Sequence, residues 1–195
     1  MNLFEKKLDD IESKDLKLNL ILSGDGVPME SHEENTKRTT IALIKDKLKV
    51  IIKSPEIVSA TRIGSRPNSQ RPNRRPIKIV LQDNEVKNSI LSAFKTAKPE
   101  NLYFNEDLTP KRRSFLYCLR QAKGKFPSLI SGTMTRDNKV YVFVKPTGIV
   151  TNANQNKSTR IEIGSYQKLM EFFEKTLGIH LMRFVDVTKL NDFTP

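Results

Sequence analysis

Ile77-Lys78-Ile79-Val80-Leu81-Gln82-Asp83-Asn84-Glu85-Val86 is the stretch from which the fold is read. Ile77 to Leu81 is a short apolar run rich in β-branched residues, which predicts a strand. Asp83 is a good N-cap, and Val86, Ile90, Phe94 and Ala97 then fall on one face of a helix that Pro99 ends. Upstream, Leu16, Leu18, Leu20 and Leu22 alternate with Lys17, Asn19 and Ile21, as in a strand with one buried face, and Gly24, Asp25, Gly26 and Pro28 close it. Ser31 and Glu34 have capping-box spacing ahead of Ile41, Ile44 and Leu48 at helical spacing. Val50 to Ile63 reads as extended, broken at Ser54-Pro55. Gly64 to Pro76, with three prolines and four arginines, reads as an exposed loop. Leu102-Tyr103-Phe104 predicts a last strand.

The order strand, helix, strand, strand, helix, strand is the split βαβ pattern of a ferredoxin-like (RRM-like) domain, expected over residues 16–105. Residues 1–15 predict a short helix, with Phe4, Leu8 and Ile11 spaced as in the stub of a coiled coil or in an ordinary packing helix. A small α+β domain with a C-terminal extension is expected over 106–195, so the class is α+β throughout. It opens at Thr109-Pro110, an N-cap with proline at the first helical position. Phe115, Leu119 and Ala122 form the buried face of that helix, while Arg113, Tyr117 and Arg120, continued by Lys123, share another. A hairpin follows: Thr133 to Arg136, a turn at Asp137-Asn138, then Val140 to Lys145 in strict alternation. Val140, Val142 and Val144 take one face; Tyr141, Phe143 and Lys145 take the other. Phe143 and Phe115 are read as core, with Tyr141 open between core and surface. Thr151 to Lys157 reads as a polar loop. Ser165 is placed to cap a last helix bearing Leu169, Phe173 and Leu177, which Gly178 ends. His180 to Pro195 receives no assignment.

With 195 residues the chain suits one medium or two small domains, and its net charge is +12. The excess is localised. Arg62, Arg66, Arg71, Arg74, Arg75 and Lys78 lie in a segment without an acid. Lys111, Arg112, Arg113, Arg120, Lys123, Lys125 and Arg136 lie in a second such segment. The rest of the chain is neutral to within one charge. Two like-charged stretches in one small protein point to a polyanion, and nine arginines among the thirteen cations favour bidentate recognition of phosphate. Tyr117 and Tyr141 are candidate base-stacking residues, and Lys139 stands beside Tyr141. The strands around Leu20 and Ile79 carry no aromatic residue, so the sheet platform usual in recognition motifs is not expected.

Other chemistries lack their residues. Two histidines and one cysteine, far apart, make no metal site, and no cofactor or small-molecule motif is present. His32 and His180 read as a surface and a packing residue. Cys118 reads as buried, and Glu106-Asp107 as a carboxylate pair favouring the dipole of the following helix. No enzyme is expected. Neither a membrane span nor a secretory signal is read, and a single cysteine suits a reducing compartment, cytoplasmic or nuclear.

Several motifs occur in an ordered series: Asn19-Leu20-Ile21-Leu22-Ser23-Gly24, Ala60-Thr61-Arg62-Ile63-Gly64, Arg75-Pro76-Ile77-Lys78-Ile79-Val80, Tyr103-Phe104-Asn105-Glu106-Asp107-Leu108-Thr109-Pro110 with Arg112-Arg113, and Thr135-Arg136-Asp137-Asn138-Lys139-Val140-Tyr141-Val142. Over about residues 10–145 this series resembles the nucleic-acid-binding protein of the first open reading frame of LINE-type (non-LTR) retrotransposons. The resemblance implies a coiled coil, a variant recognition-motif domain and a small C-terminal domain. It also implies binding of single-stranded RNA and DNA, self-association into ribonucleoprotein particles, and nucleic-acid chaperone activity. By motif position, RNA contacts map onto Arg62, Arg112, Arg113, Arg136 and Tyr141. The coiled coil is nearly missing here, and the match fades beyond Lys145.

The expected function is therefore non-enzymatic, sequence-tolerant binding of single strands, with the Arg62–Lys78 cluster and the Arg113–Lys123 helix face forming two walls around a backbone. The competing expectation is a capsid-like assembly protein whose basic faces bind an acidic protein.

Overall fold

A computed structural model describes residues 3–31, 34–64, 74–146 and 158–179. It is an α+β protein that divides into two compact units, a central one over Lys17–Asp107 and a terminal one that joins Met1–Leu16 to Leu108–Pro195. Among the described residues no helix is long and apolar enough to cross a membrane.

The central unit is a four-stranded antiparallel sheet with two helices. Its strands are β1 (Asn19–Ser23), β2 (Ile57–Arg62), β3 (Ile77–Leu81) and β4 (Tyr103–Glu106), in the spatial order β2-β3-β1-β4. The helices are α2 (Thr36–Leu48) and α3 (Asn84–Ala97). Leu20, Leu22, Ile57, Ile77, Ile79 and Leu81 point from the sheet into a core closed by Ile44, Leu48 and Ile90 from the helices. Each such side chain contributes about 1.5–3 kcal/mol by leaving water. Register fixes the opposite sheet face: Leu20 stands across from Ile79 and Glu106, so Ile21, Lys78 and Asn105 share the row beyond.

Several boundaries differ from expectation. The first strand starts at Asn19 rather than Leu16, because the preceding helix runs through Asp15 and a turn occupies the next three residues. Asn35, not Ser31, caps α2 by accepting from the Arg38 amide at 3.0 Å. Glu34 takes no part in a capping box, since its carboxylate holds Arg62. Val50 to Ile63 contains a 3-10 turn at Ser54–Glu56, where Pro55 is tolerated, before β2 begins. Asp83 caps α3 as read, accepting from the Val86 amide at 2.9 Å.

The terminal unit is a three-stranded antiparallel sheet in the order β5-β6-β7, formed by β5 (Ile130–Arg136), β6 (Lys139–Val144) and β7 (Thr159–Ile163). Helix α4 (Pro110–Lys125) packs on it, with α5 (Tyr166–Glu171) continuing as a π turn through Thr176. Phe115, Cys118, Leu119 and Ala122 meet Val140, Val142, Ile163, Leu169 and Phe173 in one core. Thr109 and Ser165 cap α4 and α5, accepting from the amides of Arg112 and Lys168. Asp137 and Asn138 have φ of 53° and 59°, the paired positive values of a type I′ hairpin turn. Strand β7 was not read from the sequence, although Arg160-Ile161-Glu162-Ile163 alternates. Helix α1 (Leu3–Asp15) belongs to this unit, and Leu8 and Ile11 are exposed on it. The polar loop 151–157, His32 and the tail from His180 lie outside the described residues.

Candidate nucleic-acid interface

Three of the expected arginines carry carboxylates. The Arg62 guanidinium, its side chain 3 % exposed, donates from Nε and Nη2 to Glu34, and from Nη1 and Nη2 to the carbonyls of Arg75 and Pro28. Arg75 grips Glu30 with Nε and Nη2 at 2.8 and 2.7 Å and the Gly64 carbonyl with Nη1. Hydrogen bonding to Glu30 raises its pKa further above the ordinary arginine value. In the terminal unit Arg112 meets Asp9, Asp10, Ser13 and the Asn138 carbonyl, and Asp9 also accepts from Thr109 at 2.6 Å. Lys78 lies 3.1 Å from Asp107. Thus segments that hold no acid along the chain receive acids from elsewhere in the fold, and these guanidinium groups hold internal acceptors. Arg74 is exposed, while Arg66 and Arg71 fall outside the described residues. Glu106 and Asp107 act differently from the dipole role expected: Glu106 forms a buried pair with Lys87 at 2.7 Å, and Asp107 joins Lys78 and Asn19.

On α4, Arg113, Arg120 and Lys123 are exposed. Arg113 and Arg120 lie on the side of the helix turned away from Phe115, Cys118, Leu119 and Ala122. Tyr117 is half-buried against the core, and Lys111 is half-buried in the first turn. Because α4 covers the inner face of the β5-β6-β7 sheet, its outward row and the outer face of that sheet are opposite surfaces of one unit. The structure does not bring Arg113 and Arg120 together with Arg136 and Tyr141.

The outer face gathers a different set. The valines of β6 face the core, so Lys139, Tyr141 and Phe143 project together on the other side. Register adds Arg136, Met134 and Gly132 from β5, and Glu162 and Arg160 from β7. Phe143, expected in the core, belongs to neither core cluster and is half-buried on this face. Its β5 neighbour is Gly132, where a Cβ would find only the Phe143 ring within 4 Å, so one flank of that ring is uncovered by side chain. The Arg160 guanidinium carbon lies 5.0 Å from the Tyr141 ring centroid, a cation–π contact. No carboxylate among the described residues lies within salt-bridge distance of Arg160. Arg136 is largely exposed with Asp137 at 3.8 Å, and Lys139 lies 3.3 Å from Glu162. Phe143, Arg160 and Glu162 were missed as site residues, though the alternation of β6 already placed Phe143 beside Tyr141.

The open face of the central sheet is mostly uncharged. It carries one exposed aromatic, Tyr103 on the edge strand β4, packed beside Gly24. Gly24 has φ +109° and a Cβ there would sit 2.3 Å from the Asn101 carbonyl oxygen, so only glycine fits under that ring. Burial pushes the Cys118 thiol up to about 11, leaving it protonated at neutral pH. Among the described residues no three histidine, cysteine or acidic side chains stand close enough to hold a metal ion. No family model matches this chain, and no curated protein matches it either.

Proposed function

We propose that the chain is a non-enzymatic binder of single-stranded RNA and DNA whose principal contact surface is the outer face of the β5-β6-β7 sheet. The observation that carries this is the pairing of Tyr141 and Phe143 side by side on a strand, ringed by Arg136, Lys139 and Arg160. Adjacent rings on a sheet can stack successive bases of an unpaired strand, at about 1–3 kcal/mol per base, while a duplex keeps its base faces hidden. Arg160, stacked on Tyr141 and without an acidic partner among the described residues, has its N–H groups available for phosphate. Arg113, Arg120 and Lys123 add long-range attraction from another surface, but Arg62, Arg75 and Arg112 serve the fold instead.

The proposal includes a ferredoxin-like identity for the central unit. It rests on the β2-β3-β1-β4 order with α2 and α3 as the connections. A role in a retrotransposon-type ribonucleoprotein, with chaperone activity, a cytoplasmic or nuclear address and self-association, rests on the motif resemblance.

Fluorescence anisotropy with labelled single-stranded RNA and duplex DNA over a salt series tests the reading. Single strands should bind tighter, with affinity falling steeply as salt rises. Phe143→Ala and Tyr141→Ala should each weaken binding by about 1–3 kcal/mol. Equal or tighter duplex binding, or affinity indifferent to salt, defeats it. An acidic partner protein, the competing reading, would leave freshly purified material free of nucleic-acid absorbance at 260 nm.

A further inference from the structure

We propose that this face prefers guanine at one position: a base stacked on Tyr141 turns its Watson–Crick edge to the Lys139–Glu162 pair. Glu162 then accepts from N1–H and the N2 amino group, and Lys139 donates to O6. The inference rests on the single-strand reading above and refines it, adding one selective position to binding that is otherwise tolerant of sequence.

Glu162 is out of place on a surface for phosphate. It is the one acid that the strands β5, β6 and β7 place on this face, and a carboxylate repels the nucleic-acid backbone. What a carboxylate can accept from a nucleic acid is a base N–H or a ribose 2′-OH, and only the former distinguishes one base from another. Its position suits that task, because register sets Glu162 directly across from Tyr141. Cross-strand neighbours of this kind have Cβ atoms about 4.5–5.5 Å apart, within reach of a base lying on the ring. Lys139 precedes Tyr141 by two residues on the same face, and its Nζ is 3.3 Å from Glu162 Oε2.

That separation is longer than the roughly 2.7–2.9 Å of a tight charge-assisted bond. The side chains are 51 % and 38 % exposed, so both groups keep hydrogen-bonding capacity facing solvent. Together they present a donor followed by the two oxygens of an acceptor. Guanine offers the complement, an acceptor at O6 and donors at N1 and N2. Uracil offers a single donor, N3–H, between two carbonyls, and its second carbonyl would meet the carboxylate. Inosine keeps O6 and N1–H but lacks the N2 amino group. A plain cross-strand ion pair, the simpler role for these residues, gives no preference among bases.

The test uses the full chain and labelled oligouridylate, compared with the same strand carrying one central guanosine or one central inosine; a single guanosine avoids quadruplexes. Guanosine should bind about tenfold tighter than uridine, within the range for a good bidentate contact, and inosine should fall between. Glu162→Gln should bring the guanosine-to-uridine ratio towards one. Equal, salt-sensitive binding of the three strands overturns the guanine preference and leaves the single-strand reading standing. Retention of the full ratio by Glu162→Gln also overturns it. If none of the strands binds, the single-strand reading falls and the preference with it. Circular dichroism checks that the variant folds; should it not, the guanosine–inosine comparison on the unaltered protein decides.

Discussion

Arg62 and Arg160 are the same residue type in opposite circumstances. Arg62 is buried and holds Glu34 through two nitrogens, while Arg160 is exposed and lies on the half-buried Tyr141. Removing one partner of a buried ion pair leaves an uncompensated charge, so Glu34→Ala should destabilise the central unit by about 3–5 kcal/mol. Urea unfolding would measure this as a lower midpoint, and an unchanged midpoint would contradict the structural role. Arg160→Ala, in contrast, should leave the midpoint nearly where it is and weaken RNA binding. Cys118 supplies a pH dependence. Its pKa rises from 9.0 to about 11 on folding because burial disfavours the thiolate. The stabilising contribution of the neutral thiol is complete below pH about 9 and is lost as pH climbs from about 9 to about 11. Alkylation by iodoacetamide at pH 8 should be slow in the folded chain and fast in urea; rapid labelling of folded protein would show the thiol to be accessible.

On the proposed reading, strand β6 alternates stability and binding from Val140 to Phe143. Val140 and Val142 are buried, whereas Tyr141 and Phe143 face outward. Val142→Ala should lower the unfolding midpoint and keep single-strand affinity, while Phe143→Ala should do the reverse; a joint loss in Phe143→Ala would mark it as core after all. Helix α4 depends on its first turn in a comparable way. Thr109 caps it and also donates to Asp9, so Thr109→Ala should cost about 0.5–2 kcal/mol from the cap and loosen α1 as well. The residue classes at these positions were legible. Capping at Asp83, Thr109 and Ser165, the Asp137-Asn138 turn and the alternation in β6 depend on neighbours a few residues away. Boundaries at β1 and α2 were not, because a preceding helix and a distant arginine took the residues that local spacing assigned elsewhere.

At the scale of the whole molecule, the terminal unit is built from both ends of the chain. Arg112 finds its acids in α1, about a hundred positions earlier, so the segment 108–195 alone lacks them. A fragment of residues 17–107 should unfold cooperatively by itself, whereas 108–195 should need residues 1–16 to reach its full stability. Comparable unfolding midpoints of 108–195 with and without the N-terminal segment would refute this. What the order of residues determined unaided was most of the local elements, β7 excepted, with the two faces of β6 and the total charge. These follow from spacing, propensity and counting, which act between near neighbours. Which cations remain available to a ligand was settled only in three dimensions. Glu34 lies 28 positions from Arg62 and Asp9 lies 103 from Arg112, yet Coulomb attraction and hydrogen bonding depend on separation in space and not along the chain.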